Sequence, residues 1–150
     1  MSDLWTKAGV AARSARLLLE SGDTDGATNR AYYAMFDAAR AALSTVRPSL
    51  ALSKRHGTIV RRFDKHLVAE RGFDCALGME FFQRQRNARW IADYDVARVE
   101  ESSARLAICD MDTFLAAIGP LVSAAAHGKK RRARTVRKRA RAGCRDNANA

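Results

Sequence analysis

Apolar residues recur along most of this chain with the period of an α-helix. The breaks between periodic stretches fall at glycine, proline and short polar runs. Leu4, Ala8, Ala11, Ala12, Ala15, Leu18 and Leu19 stand three or four apart and predict a first helix from about Ser2 to Ser21. Ser21-Gly22-Asp23 should stop it, because glycine accepts the left-handed backbone of a helix end. A second helix should start near Thr24 or Asp25, both good caps, and run to about Thr45. Its alanine-rich pattern permits close helix–helix approach, and Arg47-Pro48-Ser49 should form a connector.

The pattern continues with a third helix over roughly Lys54 to Glu70, capped by Ser53, with Ile59, Val60, Phe63 and Leu67 on its apolar stripe. A fourth should cover Cys75 to Ile91, with Leu77, Met79, Phe81, Phe82 and Trp90 as candidate core. A fifth should run from Asp95 to Ile118, its inner face traced by Val99, Ser103, Leu106, Ala107, Asp110, Phe114, Leu115 and Ile118, until Gly119-Pro120 breaks or kinks it. No strand-like alternation of useful length and no internal repeat occurs. The fold class is therefore all-α, an antiparallel bundle of about five helices. At 150 residues the chain has room for one core that needs neither metal nor disulfide.

Charge divides the chain in two. Residues 1–128 carry 17 basic and 15 acidic side chains, whereas residues 129–150 carry 10 basic and 1 acidic. The bundle, residues 1–126, is thus near neutral, and the tail, residues 127–150, holds almost all of the net charge of +11. Its candidate nucleic-acid contacts are Lys129, Lys130, Arg131, Arg132, Arg134, Arg137, Lys138, Arg139 and Arg141. One side chain in that stretch, Val136, is apolar and larger than alanine. The tail cannot bury enough surface to offset the entropy of ordering and is expected to be disordered alone. It should bind polyanions through counterion release, with steep salt dependence and little sequence preference. It has no aromatic side chain for base stacking. A solubilising tail with no dedicated ligand is the alternative.

Cys75, Cys109 and Cys144 are odd in number and form no CxxC, so neither a disulfide framework nor a zinc site is indicated. No metal site and no cofactor is implied. The first twenty residues have no apolar run suited to a signal peptide or membrane span, so the expected compartment is the cytoplasm.

The segment from Asn29 to Leu43, containing Arg30-Ala31-Tyr32-Tyr33-Ala34-Met35-Phe36, resembles the second-helix signature of prokaryotic HEPN-domain proteins. Ser53-Lys54-Arg55-His56 looks like that family's S-K-x-H stretch, and Arg86 to Tyr94 looks like its R…ADY element. The resemblance implies a HEPN bundle, usually a homodimer. It also implies either a toxin ribonuclease or a non-catalytic partner of a minimal nucleotidyltransferase antitoxin, in a toxin–antitoxin system. In the ribonucleases, arginine would hold the phosphate and a histidine two residues before a tyrosine would move the proton.

Carried over residue by residue, the candidate site is Arg86, Asn87, Asp93 and Tyr94; the alternative is a structural network, an Arg–Asp pair and a tyrosine anchoring the turn into the fifth helix. The histidine position is taken by Ala92, which cannot carry a proton. In some such pairs the matching tyrosine is adenylylated by the partner, so the resemblance makes Tyr94 a modification candidate. Lys54 and His56, at a predicted helix start, are phosphate candidates. Arg61 and His66 are too far apart around a helix to act together; Arg62 and His66 could share a face, and a solvated basic face is the simpler reading. Tyr32, Tyr33, Met35 and Phe36 read as core or dimer contact. Three functions stay open: an RNA-binding and RNA-cleaving HEPN protein, a non-catalytic dimerisation or adaptor module, and a nucleic-acid accessory protein acting through its tail.

Overall fold

A computed structural model of the chain describes residues 2–94 and 97–146, with side chains described for residues 3–94 and 97–128. Helix α1 (Ser2–Glu20) and helix α2 (Thr24–Val46) form an antiparallel hairpin. Gly22, at φ +82°, makes the reversal: its N–H bonds to the Leu19 carbonyl and that of Asp23 to Leu18. Asp23 then caps α2, its carboxylate accepting from the Gly26 N–H at 2.8 Å. Thr24 and Asp25, expected as caps, instead grip the chain ahead of the last helix. The Thr24 hydroxyl donates to the Val99 carbonyl at 2.6 Å, and Asp25 accepts the Val99 N–H at 2.8 Å.

Helix α2 is the centre of the bundle, with 15 of its 23 residues buried. Ala31, Ala34, Ala38 and Ala42 have no side chain beyond Cβ to hold neighbours away, and Ala8, Ala12 and Ala15 of α1 are buried with them. A turn of 3₁₀ helix (Pro48–Ala51) follows, then α3 (His56–Phe63). Ser53 does not cap α3: its hydroxyl accepts from the Arg55 N–H, and the helix begins three residues later than the predicted cap. α3 widens into a π-helical stretch, Asp64–Ala69, closed by Gly72 at φ +66°.

Helix α4 (Met79–Tyr94) starts after a 3₁₀ turn at Cys75–Leu77, four residues later than predicted and three residues longer at its far end. Asp64 joins α3 to α4, accepting the Met79 N–H at 3.3 Å. This close approach needs Gly78, where a Cβ would lie 2.8 Å from the Asp64 carboxylate.

Helix α5 (Glu101–Asp146) begins six residues later than predicted and runs past Gly119-Pro120 without a break. Pro120 is exposed, so the carbonyl it leaves unbonded, that of Ala116, can be solvated on an exposed face. The buried stripe of α5 is Ala104, Ala107, Met111, Phe114, Ile118 and Val122. Ala107, Phe114 and Ile118 are buried as expected, whereas Leu106, expected inside, is 62% exposed. Trp90, expected in the core of α4, is 62% exposed. The core is instead closed by an aromatic cluster in which Phe63, Phe81, Phe82 and Phe114 lie 5.2–5.9 Å apart by ring centroids. The stretch Glu101–Gly128 is long and apolar enough to cross a membrane by length and composition, but its most apolar stripe packs inside the bundle. The backbone of the tail continues α5 to Asp146, and its basic side chains, Lys129 to Arg141, lie outside the described residues.

Candidate functional site

Helix geometry sorts the four R…ADY candidates onto two stripes of α4. At about 100° per residue, positions 86, 89 and 93 fall on one side, and positions 87, 90, 91 and 94 on another. The first stripe faces α2 and α3. Arg89 pairs with Asp93 at 2.9 Å through both Nε and a terminal nitrogen, and Asn29 of α2 donates to the other Asp93 oxygen. The Arg89 guanidinium also lies over Tyr33, 5.1 Å from the ring centroid. Asp93 is thereby committed to tying α4 to α2. The second stripe faces outward: Asn87 is exposed, and Tyr94, 67% exposed, packs against Trp90 at 5.5 Å. Arg86 and Tyr94 therefore do not converge on one reacting atom.

Arg86 converges instead with a residue from another helix. His56 opens α3, stacked on Phe36 with ring centroids 4.3 Å apart, and its Nδ1 lies 2.9 Å from the buried Tyr32 hydroxyl. Burial pushes the Tyr32 pKa up to about 12, with Arg89 and Arg86 opposing the rise. The hydroxyl so keeps its proton across the physiological range. Burial also lowers the His56 pKa, and the Arg89 and Arg86 charges lower it further, while Asp37 acts the other way. In the tautomer protonated on Nε2, the neutral imidazole accepts the Tyr32 proton on Nδ1; in the other, Nδ1–H donates to the hydroxyl. His56 and Arg86 both line an open cleft of about 230 Å³ between α3 and α4.

A HEPN-domain family model matches residues 1–121. The chain belongs to the HEPN family. It is also 30% identical over 102 residues to a Methanocaldococcus jannaschii protein named "Putative toxin MJ0605"; the alignment covers 68% of this chain and 73% of that one.

The other residues with ionisable side chains in this HEPN protein fall in separate places. Lys54 is exposed in the segment before α3 and does not line the cleft that holds His56. Arg62 donates to the Leu50 carbonyl and His66 pairs with Glu70, so these two do not form a joint site. Arg61, read as part of a solvated basic face, lines the cleft with Arg86. Asp110 and Asp112 bond to Gln85 and Arg16 respectively, on different sides of α5. Tyr32, read as core or dimer contact, is buried, and its hydroxyl also meets a histidine 24 positions away, a contact that leaves no mark in local periodicity. The one available signal was the pairing of a tyrosine-rich helix with a histidine at the next helix start.

Proposed function

We propose that this HEPN protein is the toxin-type member of a toxin–antitoxin or nucleotidyltransferase-associated system in the cytoplasm, and that it binds RNA. The observation that carries the reading is Arg86. Its side chain is exposed, lines the α3–α4 cleft, and forms no ion pair or hydrogen bond with any described residue. An arginine so placed is available to a phosphate. The relative named as a toxin and the HEPN family membership support the toxin-type reading. The basic tail would add affinity without sequence preference.

Cleavage at the family's usual position is disfavoured, since Ala92 cannot transfer a proton. Tyr94 is an accessible acceptor for a nucleotidyltransferase partner because its ring lies largely outside the bundle. The second reading is a non-catalytic dimerisation or adaptor module. It is favoured by Ala92 and by the outward stripe of Trp90, Ile91 and Tyr94, each at least 46% exposed, which a second copy or partner would cover. RNA binding by the full chain, compared with Arg86→Ala, separates the two. Loss on substitution supports the first reading; unchanged binding leaves the bundle as an adaptor. Mass spectrometry of the Tyr94 peptide after co-expression with a minimal nucleotidyltransferase tests the modification, and an unmodified peptide counts against it.

A further inference from the structure

Helices α4 and α5 both pack on α2 and touch each other over only part of their length. At one end Phe81 and Phe82 meet Phe114, and Gln85 donates to Asp110. Towards the other end the two helices part, and a second cavity, of about 280 Å³, opens between them. It shares no lining residue with the Arg86 cleft. Ala88, on its wall, lies about 200° round α4 from Arg86. Ala88 and Ile91 of α4, with Ala97 and Val99 from the chain leading into α5, give the cavity aliphatic walls, and none of its lining residues is aromatic. Arg98, Glu100 and Ser103 also line it, and all three are exposed.

The segment that carries the two charges is held in place. Asp25 accepts the Val99 N–H and Thr24 donates to the Val99 carbonyl, while Arg98 donates to the Gly22 carbonyl at 3.0 Å. That bond uses one terminal nitrogen of Arg98. The Glu100 carboxylate has no ion pair or hydrogen bond with a described residue, and the two charges are not paired with each other. A cation and an anion thus flank a clamped Val99 beside one aliphatic cavity. Because the backbone is already fixed, a ligand there would not have to order it.

We propose that this cavity binds a free aliphatic α-amino acid of about leucine size. Its side chain lies among Ala88, Ile91 and Val99, its carboxylate on Arg98 and the Ser103 hydroxyl, and its ammonium on Glu100. The site is separate from the RNA reading above and does not rest on it. A bare phosphate or carboxylate would be repelled by Glu100. A purely apolar ligand would leave both charges unanswered at its edge. A nucleobase would find no ring to stack on. A zwitterion with an aliphatic side chain meets all three features, and a cavity just under the ~300 Å³ lower end of ligand pockets suits one amino acid.

The test uses the full chain and four probes: L-leucine, leucinamide, isocaproate and glycine. The last three lack the carboxylate, the ammonium and the side chain of leucine in turn. Binding is followed by calorimetry into the millimolar range and by isoleucine methyl NMR signals. Ile59 and Ile118 are fully buried outside the cavity and act as internal controls. Leucine should shift the Ile91 methyl signals selectively, and each of the other probes should bind at least about tenfold more weakly. Glu100→Gln should weaken leucine by a similar factor. Ala88→Leu and Ser103→Leu each fill the cavity from a different helix and should abolish binding while keeping a cooperative melting transition. Saturating leucine should raise the melting temperature of the parent and leave that of Ala88→Leu unchanged.

Absence of leucine binding, equal shifts at Ile59, Ile91 and Ile118, or binding unchanged in both cavity-filling variants overturns the proposal. Isocaproate binding as tightly as leucine would remove Glu100 from the site and overturn the amino-acid assignment. RNA binding is read separately with Arg86→Ala, so either reading can fail without the other.

Discussion

The hydroxyl of Tyr32 and Nδ1 of His56 lie 2.9 Å apart across the packed rings of α2 and α3. With the Tyr32 hydroxyl as the donor, this bond places the imidazole proton on Nε2. The nitrogen shifts of His56 should show protonated Nε2 and unprotonated Nδ1 at neutral pH. Tyr32→Phe keeps the ring packing and removes the bond. It should cost about 1 kcal/mol by chemical denaturation and let the tautomers mix. An unchanged tautomer in that variant would show that Tyr32 does not set it.

Lowering the pH should destabilise the fold through His56. Its folded pKa lies below the ordinary 6.5, so the unfolded chain binds more protons in the window between the two values. Stability contributed by the neutral ring is complete above 6.5 and declines as the pH falls towards the folded value. The groups facing the ring are Tyr32, Tyr33, Phe36 and Asp37 from α2, and Arg86 and Arg89 from α4; only Asp37 favours the cation. Melting curves between pH 7.5 and 5 should show a smaller drop for His56→Gln than for the parent. Identical slopes would contradict the assignment.

Asp93 should behave as a bundle residue. Asp93→Asn breaks its charge pairing with Arg89 at a partly exposed position and should cost about 0.5–1 kcal/mol. Arg89→Ala also removes the contact with the Tyr33 ring and should cost about 1–2 kcal/mol. Denaturant titration reads both. RNA affinity should stay within a factor of about two in Asp93→Asn, since Asp93 does not line the cleft that holds Arg86; a loss resembling that of Arg86→Ala would return Asp93 to the site.

The number of helices and the all-α class were legible because alanine and leucine recur at helical spacing over long stretches. Helix ends were less so. Asp23 rather than Thr24 caps α2, and the start of α5 is set by Thr24 and Asp25 holding Val99, a contact across 74 and 75 positions that no local pattern encodes. On α5 the buried positions of Ala107, Phe114 and Ile118 were legible; Leu106 was not, because it looks as apolar as Ala107 and only packing chooses between them. At the site, Arg86 was legible from the family motif. Its companionship with His56 and Arg61 depends on how α3 crosses α4, which Asp64 and Gly78 fix at close range.

Pro120 is tolerated inside α5 because it sits on the solvent side, not because the helix needs it there. Pro120→Ala restores a backbone donor without touching the core and should stabilise the bundle by about 1–3 kcal/mol. A lower melting temperature would mean that the break expected at Gly119-Pro120 has a structural role.

The most direct test of the central claim is equilibrium binding of a fluorescent single-stranded RNA to the full chain and to Arg86→Ala, at a salt concentration high enough to screen the tail. The account predicts binding that persists in the parent and falls at least about tenfold in the variant. Equal affinity of the two proteins, or binding that vanishes from both as salt rises, would show that the Arg86 cleft of this HEPN bundle is not where RNA is held.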